Sequence, residues 1–147
     1  MAHRVARLAC LMACAAALVY AVAFLFGPTY TTCSSGTIGP DQPFATFGPT
    51  SCRSANFFEV NASGPEGFGQ ASRALFFITL WTVAPFIALA GVALRARGHP
   101  YGIGLVLVGF AIDATSIISM GGGFVFALLC GPLLLVALIA TLAQRVR

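Results

Sequence analysis

Residues 74–94 read ALFFITLWTVAPFIALAGVAL, and no charged side chain interrupts them. An α-helix rises about 1.5 Å per residue, so about 20 apolar residues match the roughly 30 Å hydrocarbon core of a bilayer. Arg73 precedes the stretch, and Arg95-Ala96-Arg97-Gly98-His99-Pro100 follows it. Its length, its composition and its polar flanks read together as a transmembrane helix.

Three further stretches have the same character, at about residues 8–26, 102–120 and 124–143. Gly27-Pro28 ends the first, because proline cannot continue a helical hydrogen-bond ladder. Gly121, Gly122 and Gly123 form a short break between the last two, which predicts an antiparallel helix pair. The expectation is an all-α, four-helix membrane bundle in a single domain over residues 1–147, with one long external loop at 28–72.

Composition supports this. The chain is 59% hydrophobic and 8% charged, whereas a soluble domain carries roughly a quarter charged residues. So few charges could not clothe a water-soluble surface, and the expected partner is the lipid bilayer. The formal net charge of +4 comes from dispersed arginines beside apolar spans. That is not the clustered footprint of a nucleic-acid binder. All basic residues apart from histidine are arginine, and alanine is abundant. This bias suggests a GC-rich bacterial genome and a plasma-membrane location.

Arginine placement sets the expected orientation. Arg4 and Arg7 precede the first span, Arg95 and Arg97 separate the second and third, and Arg145 and Arg147 follow the fourth. An even number of spans puts all six on one side, which the positive-inside rule assigns to the cytoplasm. The other side holds Arg53 and Arg73 against Asp41, Glu59 and Glu66. A cleaved signal peptide is the alternative, since Ala21-Val22-Ala23 fits a peptidase site. Phe24-Leu25-Phe26 carries the apolar run past that site and favours a retained helix.

The external loop is rich in Gly, Pro, Ser and Thr and reads as mostly irregular chain. It carries Cys33 and Cys52. On this topology both face an oxidising compartment, where thiols pair and stay paired. A disulfide between them is therefore expected. Tyr30, Phe44, Phe47, Phe57, Phe58 and Phe68 make the loop unusually aromatic. They would either pack over the helix ends or dock a partner. Asn61-Ala62-Ser63 is a glycosylation sequon, meaningful only in a eukaryotic host.

A cysteine pair in the long first loop of a four-span protein resembles the outline of claudins. The paired tryptophans that precede the cysteines there are missing, since Trp81 is the sole tryptophan and lies in the second span. No C-x-x-C of a membrane disulfide oxidoreductase occurs either. The sequence assigns no family.

Two features mark the spans themselves. Ala9, Ala13, Ala17 and Ala21 repeat every four residues in the first, a small-residue stripe that lets helices approach closely in lipid. Asp113 stands in the third, about 16 Å along from Gly102 and so near the midplane. A carboxyl in lipid is unfavourable by several kcal/mol unless it faces the bundle and finds a partner. Gly109 and Ser116 share its helical face. No span contains a lysine, arginine or histidine, so a neutral acid donating one hydrogen bond is the expected form. Tyr20, Thr82 and Cys130 lie at similar depth, and Pro132 frees the carbonyl of Leu128. A polar cluster of Asp113, Tyr20, Thr82 and Ser116 beside the Pro132 kink is the expectation, with Arg73 as a remoter partner.

Cys10 and Cys14 lie one turn apart, too few for a zinc site and more simply read as packing, as is Cys130. No metal site, cofactor motif or catalytic set is legible, and Gly102-Ile103-Gly104 followed by Gly109 is no phosphate loop. The expected function is non-enzymatic: an accessory, scaffold or assembly subunit that binds other membrane proteins or itself. The alternative is a small oligomeric transporter or channel protomer that uses Asp113 for proton or cation coupling.

Overall fold

The structure, a computed structural model, describes residues 2–34, 51–62, 67–119 and 122–144. Its elements are α1 (Ala2–Phe26), β1 (Tyr30–Ser34), β2 (Ser51–Ala55), α2 (Phe57–Ala62), α3 (Gly67–Ala96), α4 (Gly102–Thr115), a 3-10 turn at Ser116–Ile118, and α5 (Gly122–Leu142). Asp41, Phe44, Phe47, Ser63, Glu66, Gly121, Arg145 and Arg147 lie outside the described residues.

Three helices are long and apolar enough to cross a membrane: Ala2–Phe26, Ala71–Ala96 and Gly123–Leu142. The fourth apolar element, Gly102–Ile118, is shorter. Sequence reading placed a helix over 102–120, but the α-helix ends at Thr115. Two hydroxyls explain the change. Thr115 Oγ1 donates to the Ile112 carbonyl and Ser116 Oγ to the Asp113 carbonyl, each three residues back. Side chains that take up backbone carbonyls compete with the α-helical ladder, and the chain tightens into a 3-10 turn.

The chain divides into two compact units, Val22–Ala71 and the remainder (Met1–Ala21 with Ser72–Arg147). In Val22–Ala71 the described residues include regular structure that the loop's composition did not suggest. β1 and β2 pair antiparallel, with Cys33 directly opposite Cys52, and the two are joined by a disulfide. The strand is an addition to the all-α expectation, formed where Tyr30-Thr31-Thr32 supplies β-favouring side chains. α2 is capped reciprocally: the Glu59 N–H donates to Asn56 Oδ1 at 2.9 Å, and the Asn56 N–H donates to Glu59 Oε2 at 3.0 Å. Phe57, 2% exposed, is the hub of an aromatic cluster with Phe24, Tyr30 and Phe58.

The larger unit is held together by small residues. A Cβ placed on Gly91 would meet the Gly102 carbonyl oxygen at 2.6 Å, and one on Gly109 would meet the Ala84 oxygen at the same distance. α3 and α4 therefore touch backbone to backbone along Ala84, Ala88, Gly91, Gly102 and Gly109. Their connection is closed by Gly98 at φ +87°, which lets the His99 N–H reach back to the Leu94 carbonyl at 3.1 Å. Across the same pair, Trp81 Nε1 donates to Thr115 Oγ1 at 3.2 Å. Ala9, Ala13, Ala17 and Ala21 are all buried, together with Ala6, Cys10 and Cys14. The wide small-residue face of α1 is thus packed within the chain.

Candidate functional site around Asp113

α4 buries Gly102, Val106, Gly109 and Asp113, residues spaced four, three and four apart on one helical face. Ser116 continues that face and is fully buried. The glycines bring the face against α3, and Asp113 follows at its far end, in the last turn of α4.

The Asp113 side chain points at α5. Its Oδ2 stands 3.4 Å from the position a Cβ on Gly131 would take. Gly131 thus leaves the space that the carboxyl occupies. Cys130, next to it, is fully buried and donates its thiol to the Ala13 carbonyl of α1 at 3.6 Å. Cys130 is close enough to both Asp113 and Cys14 to interact with each electrostatically. The walls of the site are therefore α1, α4 and α5.

The polar groups of similar depth have other partners. Thr82 Oγ1 donates to the Ile78 carbonyl of its own helix at 2.7 Å. Ser116 bonds the backbone oxygen of Asp113, not its carboxyl. Tyr20 packs edge-on against Phe126, centroids 4.8 Å apart, and Phe126 leans on Trp81 at 6.0 Å. Pro132 lies within a continuous α5, and Arg73 is exposed. Asp113 itself is 1% exposed, and neither carboxyl oxygen has a hydrogen-bond partner. Similar depth along the sequence does not supply the carboxyl with a hydrogen-bond partner.

Such an arrangement can hold a proton. Hard cations demand several oxygen ligands, and one carboxyl beside two thiols and a glycine does not supply them. Among the described residues no group of three or more His, Cys, Asp or Glu is placed to hold a metal. Cys10, Cys14 and Cys130 are all buried free thiols. Gly131 was not singled out in the sequence, though a glycine beside a mid-span proline was the available sign. Pro85, buried inside α3, was likewise passed over.

No family model matches the sequence, and neither curated proteins nor solved structures yield a match.

Proposed function

We propose that the protein is a multi-pass protein of the cell membrane with four spans and both ends cytoplasmic, whose oligomer moves protons by way of Asp113. For the fourth span, α4 and its 3-10 turn extend about 27 Å at about 1.5 and 2.0 Å per residue. Bilayer cores of about that thickness occur. For sidedness, Arg4, Arg7, Arg95, Arg97, Arg145 and Arg147 fall on one side of such a bundle.

The observation that carries the reading is the enclosed, unpartnered carboxyl of Asp113. A buried polar group without a partner is unfavourable by about 1–3 kcal/mol and calls for a reason. Reversible protonation is the chemistry open to a lone acid at this depth. One acid makes a thin pathway within one chain, so the transporting unit is an oligomer. The test is proton flux into proteoliposomes under an imposed pH gradient, with melting temperature measured alongside. Asp113→Asn should abolish flux at an unchanged or raised melting temperature. Wild-type flux no greater than that of empty liposomes, or flux retained by Asp113→Asn, would sink the proposal.

An accessory or assembly subunit is the second reading. Its main supports have weakened, since the alanine face of α1 and Phe57, the hub of the aromatic cluster, are buried inside the chain. It keeps one: Phe26 and Phe58 pair at 5.7 Å while 66% and 44% exposed, an aromatic patch that a partner would cover. Recovery of a stoichiometric membrane partner in mild detergent, lost on Phe58→Ser, would favour it.

A further inference from the structure

A cavity of about 430 Å³ opens between the start of α1 and the end of α3. His3, Arg7 and Leu11 line it from α1 at intervals of four, one face of that helix; Leu89 and Val92 line it from α3, followed by Arg97. The cavity is therefore graded. Cationic and imidazole groups line one end, and aliphatic side chains line the other, about 12 Å further along α1.

The unit that holds the cavity carries one acid, Asp113. Residues 1–40, 67–112 and 114–147 contain no Asp or Glu. Among the described residues, Arg7 and Arg97 form no ion pair or side-chain hydrogen bond, and His3 Nδ1 is buried without a partner. Both arginines are exposed, so they can reach a group that enters from the bilayer surface. A guanidinium pair recognises a phosphate by charge and by forked hydrogen bonds. Basic pockets between membrane helices are suited to anionic headgroups.

We infer that this cavity binds an anionic glycerophospholipid, its phosphate between Arg7, Arg97 and His3 and one acyl chain along Leu11, Leu89 and Val92. A soluble phosphate would satisfy the arginines but leave the apolar wall empty. The graded lining therefore favours a lipid over the free anion. Bound there, the lipid links α1 to α3 at the arginine-rich end of the bundle. The site is separate from Asp113, and its test does not depend on proton transport.

The test uses the full chain purified in mild detergent, with bound lipid counted by native mass spectrometry. Dioleoyl-phosphatidylglycerol should be retained in preference to dioleoyl-phosphatidylcholine. The double variant Arg7→Gln/Arg97→Gln should weaken that retention about 25-fold, at about fivefold per arginine. Arg4→Gln, which removes a charge outside the cavity, should leave it intact. Ala93→Phe keeps every charge and fills the groove; it should also abolish retention, and it decides the matter should the double variant fail to fold. Four results would each overturn the inference: no preference for phosphatidylglycerol, equal loss with Arg4→Gln, full retention by Ala93→Phe, or displacement of the lipid by millimolar inorganic phosphate.

Discussion

Gly109→Ala tests the backbone contact on which the larger unit rests. The added methyl would lie 2.6 Å from the Ala84 carbonyl oxygen and 3.0 Å from both Ala88 N and Ala88 Cβ. Ordinary contact begins at 3.4 Å, so α3 and α4 must separate locally by about 0.8 Å (3.4 minus 2.6). The obstruction is helix backbone, which cannot swing aside as a long side chain would. Overpacking of this kind is destabilising by about 1–3 kcal/mol. For a chain of this size that corresponds to a fall in melting temperature of about 3–10 °C. Gly104→Ala is the control on the same helix, since a Cβ there meets nothing within 4 Å. Alanine is the better helix former by about 1 kcal/mol, so Gly104→Ala should melt at or above the wild-type temperature. Trp81, the sole tryptophan, bridges α3 to α4 and reports their separation by its own fluorescence. Equal melting temperatures for the two variants would refute the close α3–α4 seam.

Other outcomes follow from the same structure. Cys33→Ser should release the β1–β2 hairpin, destabilising the loop by about 3 kcal/mol through loop-closure entropy and exposing it to protease; an unchanged digestion pattern would contradict the pairing. His99→Cys and Ser54→Cys should react with an impermeant maleimide from opposite membrane faces, and labelling of both from one face would remove the proposed topology. In the same assay Cys10, Cys14 and Cys130 should stay unlabelled until the chain is unfolded, because each is buried.

Much of the fold is legible along the chain because apolar length is a local property. The helix over 74–94 is readable from its own residues, and its extension back to Gly67 lengthens it without changing its character. The third apolar stretch was harder. Its apolar run continues past Thr115, but side-chain hydroxyls at Thr115 and Ser116 turn the backbone, an effect that hydropathy does not register. The candidate site was half legible. Asp113 stands out as an acid in an apolar run, and its shared face with Gly109 and Ser116 follows from helical spacing. Its environment was not readable, because Thr82 is satisfied by a carbonyl one turn back in its own helix.

The sequence by itself determined the apolar helices, the Cys33–Cys52 pair and the small-residue face of α1. Each depends on spacing within one segment or on the chemistry of a single compartment. Only the tertiary structure decided that Gly91, Gly102 and Gly109 let α3 and α4 meet backbone to backbone, that Gly131 leaves the space for the carboxyl of Asp113, and that His3, Arg7 and Arg97 share one cavity. Those outcomes depend on how each helix is rotated about its axis. Rotation is set by which small residues let backbones meet, a balance struck between helices far apart in the sequence.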